Sequence, residues 1–240
     1  MLNYTDILSN SDIDFVQMKS GLGKKHIIKE KVLMHTLKLL EKYNENIILK
    51  GGTAINKVYL DEPRFSEDLD YDCLDAGNES MKIKEFLSQY FKVDRRKMHE
   101  TYRIDCYYNG LSNQTDIVKV EIHQSNNISG VVSKTAKSIL FDDLFVGVRT
   151  YNLDELTKQK ISAFLDRVEG KDFYDLYYIL QTNVSKESYI KHKNELLARL
   201  PAFRSKLIYS AVSHYLLTNN RYKYNELLDN FESLLKTLKW

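Results

Sequence analysis

"LKGGTAINKVYLDEPRFSEDLDYD", residues 49–72, decides how this chain is read. It opens at the end of an apolar run, Ile47-Ile48-Leu49, that stops at Gly51-Gly52, and it closes on acids at every second position, Asp68, Asp70 and Asp72. Strict alternation from Asp68 to Cys73 predicts a β-strand. At ~3.3 Å per residue, side chains two apart on a strand point the same way about 6.6 Å from each other, so the three carboxylates share one face and Leu69, Tyr71 and Cys73 the other. Such a row repels itself unless it is compensated. Divalent metal is the natural partner, Mg²⁺ (or Mn²⁺) where phosphates complete the shell. Alternating aspartates alone also fit an edge strand with a solvated face. The glycines add a second device. A strand ending in Gly-Gly and passing into a helix over Thr53 to Leu60 offers bare backbone N–H groups and the positive end of a helix dipole, with no Cβ to block an anion. A phosphate cradle beside a metal-binding strand suits a nucleoside triphosphate, with Gly51, Gly52, Thr53 and Ser66 as the nucleotide-binding residues and Asp68 and Asp70 as metal ligands.

Around this stretch, apolar periodicity predicts helices over Asp12–Ser20 and Lys24–Tyr43 before it and Met81–Tyr90 after it. Alternation predicts strands over Lys97–Tyr108 and Ile117–Gln124, the second with Lys119, Glu121 and His123 on its polar face. Glu121 is the best-placed third carboxylate for the metal. From about Asn152 the texture turns helical: Leu153–Val168, Lys171–Leu180, Lys186–Leu200, Phe203–Leu217 and Tyr222–Leu238. The fold class expected is α+β, a small mixed sheet with flanking helices over 1–150 followed by an all-α bundle over 151–240.

In the first of those later helices Lys160, Ala163 and Arg167 fall at i, i+3 and i+7 on one face. Ala163 leaves room between two cations that suit a triphosphate, Lys160 as a point charge and Arg167 as a fork. Asp172 and Asp175 share a face of the next helix, placed to orient those cations or to stand opposite the metal.

Taken together, Gly51-Gly52-Thr53-Ala54 with Arg64-Phe65-Ser66-Glu67-Asp68-Leu69-Asp70-Tyr71 resembles the first motif of the AbiEii/AbiGii toxin family, nucleotidyltransferases of bacterial abortive-infection and MenT-type toxin–antitoxin systems within the DNA polymerase β-like superfamily. Lys160, Ala163 and Arg167, then Lys171-Asp172-Phe173-Tyr174-Asp175-Leu176, are similar to that family's downstream motifs. Lys171 departs from the pattern, since Arg commonly stands there. The resemblance implies a nucleotidyltransferase fold and transfer of NMP from an NTP to an acceptor hydroxyl. It also implies Asp68, Asp70, Lys160, Asp172 and Asp175 as catalytic residues, a tRNA 3′ end as the RNA acceptor, and an antitoxin protein as partner.

Composition narrows the setting without naming a partner. Lys+Arg 35 against Asp+Glu 33 leaves a net charge of +2 over 240 residues, so a polyanion would need a local patch rather than a global field. Cys73 and Cys106 have no paired spacing and read as reduced thiols. With no apolar span of membrane length, a cytoplasmic protein is expected. Two other classes fit the same residues: a small-molecule nucleotidyltransferase of the antibiotic-modifying type, and a non-catalytic nucleotide- or nucleic-acid-binding module.

Overall fold

The alternating stretch forms a strand, and that strand lies at the middle of the sheet. The computed structural model describes residues 2–43, 46–217 and 224–239. In chain order the strands are β1 (Ile48–Lys50), β2 (Asp68–Cys73), β3 (Lys92–Met98), β4 (Thr101–Asn109), β5 (Thr115–Gln124), β6 (Val131–Lys137) and β7 (Phe145–Tyr151). Across the seven-stranded sheet they run β3-β4-β5-β2-β1-β7-β6. β2 lies parallel to β5 and β1 parallel to β7; the other pairs are antiparallel.

Helices α1 (Asn10–Ser20) and α2 (Lys24–Tyr43) precede β1; α3 (Gly51–Ala54) runs on as a π-helical turn, Ile55–Tyr59; α4 (Ala76–Leu87) follows β2. After β7 every described element is helical, among them α5 (Leu153–Asp166), α6 (Gly170–Leu180), α7 (Glu187–Lys191), α8 (Lys193–Arg199), α9 (Ser205–Val212) and α10 (Tyr224–Thr237). The fold is therefore α+β, a mixed sheet with flanking helices and a helical C-terminal part. No described helix is long and apolar enough to cross a membrane.

Alternation sorts the two faces of the central strands. Leu69, Tyr71, Cys73, Val118, Val120 and Ile122 are fully buried and pack against α2 and α4. Burying such side chains contributes about 1.5–3 kcal/mol each, which fixes the register, because a slip of one residue would turn the aspartates into the core. The opposite face carries Asp68, Asp70 and Asp72 beside Lys119, Glu121 and His123. Below it, Lys57 is fully buried between Glu30 and Glu62 and ties the π turn to α2.

Several local expectations change. The sheet is larger than the small one read from sequence, because β6 and β7 were not foreseen: β6 is an edge strand, mostly exposed and rich in polar residues, so it has no apolar alternation to read. The strand expected over 97–108 is a hairpin, β3 and β4, turning at His99, which takes a left-handed φ of 53°. The helix expected from Met81 starts at Ala76 because Asp75 caps it, accepting from the Asn78 N–H at 3.0 Å. Leu200–Ala202 and Ser213–Tyr215 are 3-10 turns that divide the expected C-terminal helices. Of the helix expected over 222–238, residues 222 and 223 lie outside the described residues.

Glu41, near the end of α2, is half-buried against β7. Its Oε2 accepts from the Arg149 N–H at 3.3 Å, and its Oε1 makes no hydrogen bond. Burial pushes its carboxyl from 4.5 up to about 7, against the smaller opposing pull of Arg149. A pKa raised in the folded state means that stability present below pH 4.5 is lost as pH rises through 7. Glu41→Gln is thus expected to match the wild type near pH 4.5 and to exceed it by about 1–3 kcal/mol above pH 7, measured by urea denaturation across pH.

Candidate active site

The three aspartates on β2 end up in three different electrostatic settings, set by what lies beside each. Asp68 faces Lys119 across the parallel pair at 3.4 Å. Asp72, nearly buried, pairs with Lys50 and accepts from the Tyr151 hydroxyl at 2.8 Å. Asp70 lies opposite Glu121. Among the described residues, no lysine or arginine comes within ion-pair reach of either Asp70 or Glu121. The row is thus paired with lysine at both ends, and the carboxylates in its middle have only His123 beside them, 4.0 Å from each. Burial and the neighbouring Asp70 raise the Glu121 carboxyl above its ordinary range. Burial likewise raises Asp68, though Lys119 opposes it. The Asp68 oxygen that faces Lys119 is buried.

The glycines allow this strand to sit close to α3. Gly51 has φ +69°, and a Cβ there would collide with the Asp70 carboxylate. A Cβ on Gly52 would come within 2.7 Å of the Arg64 guanidinium and 3.0 Å of Ser66 Oγ. Thr53 is fully buried: its hydroxyl donates to the Asp68 carbonyl and shares a hydrogen bond with Ser66 Oγ at 3.0 Å. It therefore fixes α3 to β2 and does not face the cavity, whereas Gly52 and Ser66 do.

Two cavities, of about 230 and 250 Å³, meet at Asp70, Glu121, Lys160 and Arg167. The first is densely charged with both signs: Arg64, Lys160, Arg167 and Lys171 line it together with Glu67, Asp68, Asp70, Glu121, Glu169 and Asp172. The second is walled by Ile55, Leu156 and Ala163, with Lys50, Gln159 and His123 at its polar side. The shared face read from the i, i+3, i+7 spacing brings Lys160, Ala163 and Arg167 to this wall, although Arg167 is the residue that caps α5 rather than one inside it.

Asp172 and Asp175 lie behind the cations. Asp175 is fully buried, forks onto Arg64 through two bonds of 2.7 Å, accepts from Asn56 at 3.1 Å and lies 3.0 Å from Lys160 Nζ. Burial alone would raise its carboxyl; Arg64 and Lys160 overcome that and hold it at about 2. Asp172 accepts from Lys160 at 2.9 Å and from Arg167 at 2.8 Å. Burial works against the Lys160 ammonium, yet Asp175 and Asp172 raise its pKa above the ordinary value. Asp172 lines the first cavity together with Asp70 and Glu121, whereas Asp175 is fully buried behind Arg64 and Lys160.

Sequence reading missed Arg64. It lies inside the quoted stretch, but its partner Asp175 is 111 residues away, and no local spacing announces such a pair. Lys171 does reach the cavity, with its Nζ over the Tyr215 ring at 4.4 Å and 4.0 Å from Glu67. Burial and Arg64 lower its pKa.

Comparisons with known proteins bear on the family and the fold. The profile of the family described as "Nucleotidyl transferase AbiEii toxin, Type IV TA system" matches residues 34–238. No curated protein matches the chain in sequence. Among solved structures, MenT4, a nucleotidyltransferase toxin from Mycobacterium tuberculosis H37Rv, superposes with a TM-score of 0.67 at 14% identity, covering 97% of this chain and 91% of that one; at that identity the likeness concerns the fold. An antigenic nucleotidyltransferase-like protein from Paracoccidioides brasiliensis is 16% identical over 87% of this chain and 95% of its own, with a TM-score of 0.46, too low to carry an argument.

Proposed function

This chain belongs to the AbiEii family of nucleotidyltransferase toxins, and from that premise we propose that it transfers an NMP from an NTP to a hydroxyl of RNA, the 3′ end of tRNA, in a metal-dependent reaction restrained by a separate antitoxin protein. It would act in the cytoplasm, where NTP and RNA are at hand. The observation that carries the reading is the Asp70–Glu121 pair, without a lysine or arginine partner among the described residues and set between Lys119-paired Asp68 and Lys50-paired Asp72, in the wall of a cavity that Arg64, Lys160, Arg167 and Lys171 also line.

The donors fit a divalent cation: adjacent carboxylates without a lysine or arginine partner, and a cradle that a Cβ at Gly51 would fill. Asp70, Glu121 and Asp68 would hold Mg²⁺ or Mn²⁺, which when bound supplies charge neutralisation at the phosphates and an easier deprotonation of the attacking hydroxyl. The remaining work belongs to the chain. Gly52 and Ser66 leave room for phosphate oxygens, while Lys160, Arg167 and Lys171, with Arg64 behind them, face the departing charge. The acceptor oxygen forms a bond to the α-phosphorus, the bond from that phosphorus to the β-phosphate bridge breaks, and pyrophosphate leaves. The hydroxyl proton is lost to the carboxylate face. Catalysis of this kind is mostly positioning and electrostatic stabilisation.

The test is labelling. Purified protein with each α-labelled NTP and Mg²⁺ or Mn²⁺ should extend the 3′ ends of tRNA in total RNA. Label appearing on small hydroxyl acceptors in place of RNA, or nowhere, overturns the reading. A finer check sits at Gly51. Gly51→Ala forces alanine into a left-handed backbone at a cost of about 1–2 kcal/mol and pushes on Asp70. Transfer should fall about 100-fold, as a misplacement of ~1 Å can cause, while the melting curve shifts only modestly.

A further inference from the structure

The acidic pair has a third neighbour of different chemistry. His123 stands two residues beyond Glu121 on the same face of β5, and its Nε2 is 4.0 Å from both Asp70 Oδ1 and Glu121 Oε2. One ligand atom from each of Asp70, Glu121 and His123 falls in a cluster no wider than 4.8 Å. The ring's other nitrogen, Nδ1, is 2.9 Å from the hydroxyl of Thr101, the residue directly opposite in β4. A hydroxyl holding Nδ1 turns Nε2 toward the carboxylates, the outer support that metal-ligating imidazoles ordinarily have. With bonds of about 2.1 Å, neighbouring ligands of an octahedral ion are about 3.0 Å apart and opposite ones about 4.2 Å, so gaps of 4.0 Å lie within the span of one ion. The ring is part-exposed and lines the second cavity, so it does not serve as core filling.

We propose that His123 is a nitrogen ligand of the metal centre beside Asp70 and Glu121, and that it biases the centre toward first-row transition ions such as Mn²⁺ over Mg²⁺. The inference rests on the metal-dependent reading above and names the ligand and the ion class. Mg²⁺ is hard, keeps its waters and takes oxygen donors. An imidazole in the donor set favours first-row transition ions, whose affinities for nitrogen-containing sites exceed that of Mg²⁺. Thr101 is a positioning residue for that ring.

The experiment is Mn²⁺ titration of the full chain without nucleotide, read by electron paramagnetic resonance, with Mg²⁺ as competitor. His123→Ala should weaken Mn²⁺ binding about 10–100-fold and Thr101→Val by about tenfold, while Mg²⁺ binding changes far less, so that the preference for Mn²⁺ narrows. Pulsed measurements should detect ¹⁴N coupling to the bound ion in the wild type and none in His123→Ala. Because that coupling is read on the wild type, the result does not depend on a variant folding. Absence of nitrogen coupling in the wild type, or unchanged Mn²⁺ affinity and selectivity in a folded His123→Ala, overturns the proposal. In that event Asp70→Asn separates the two readings: if it still removes Mn²⁺ binding, only the role of His123 falls, and if it does not, the metal-dependent reading falls as well. A changed pH–rate profile in His123→Ala with unchanged Mn²⁺ affinity would make His123 a base and likewise overturn its role as a ligand.

Discussion

Asp70→Asn is expected to abolish nucleotidyl transfer, by about 10³-fold or more, while leaving the fold as stable as the wild type or slightly more so. The loss follows from what the residue faces. Asp70 is the one β2 aspartate with a carboxylate for a cross-strand neighbour and no lysine or arginine partner among the described residues. Deleting its charge removes a ligand from the centre, and about 4 kcal/mol of transition-state stabilisation corresponds to the stated factor. The gain in stability comes from the same arrangement. Without metal, Asp70 and Glu121 repel each other, and an amide of the same shape relieves that, a trade common at functional sites. Labelling of RNA 3′ ends reads the first effect and a thermal melt without metal reads the second. An Asp70→Asn protein that transfers NMP normally would remove the acidic pair from the chemistry. Asp72→Asn provides a contrast, since it breaks a contact to Lys50 and Tyr151 and should lower stability.

Asp175→Ala is expected to show the reverse balance, with a large loss of stability first and loss of transfer as a result. The variant leaves Arg64, itself only 3% exposed, without its forked carboxylate and removes one of two partners from Lys160. Breaking a buried pair from one side costs about 3–5 kcal/mol. For a chain of this size that corresponds to roughly 10 °C in Tm. Asp175→Asn, which keeps the shape and some of the bonds, should fall between. The pH behaviour has a definite sign. A carboxyl held at about 2 against an ordinary 3.8 gives stability that is complete above pH 3.8 and is lost as pH falls through 2. In the alanine variant that acid-limb contribution should vanish.

The parts of this site legible in sequence are those whose geometry is local. The period of two in Asp68, Asp70 and Asp72 and the spacing of Lys160 and Ala163 read as shared faces because strand and helix periodicity alone determine them, whereas Arg167 reaches the same cavity wall from the extended residue that caps α5. The paired glycines read as a place of close approach, and the bodies that approach are Asp70, Arg64 and Ser66. What was not legible depends on partners far along the chain. Thr53 looked like a phosphate donor until its hydroxyl was found bound to Asp68 and Ser66. Arg64 gave no signal without Asp175. β6 was missed because an exposed edge strand has no core to impose a pattern.

The sheet order has a consequence in time. β1, which ends at the glycines, has β2 on one side and β7, about a hundred residues later, on the other; β2 in turn waits for β5, and Arg64 waits for α6. Loop closure over such separations slows folding. Synthesis must therefore reach Asp175 before the cavity can assemble, and a fragment released ahead of α6 would lack both the carboxylate that holds Arg64 and those that hold Lys160.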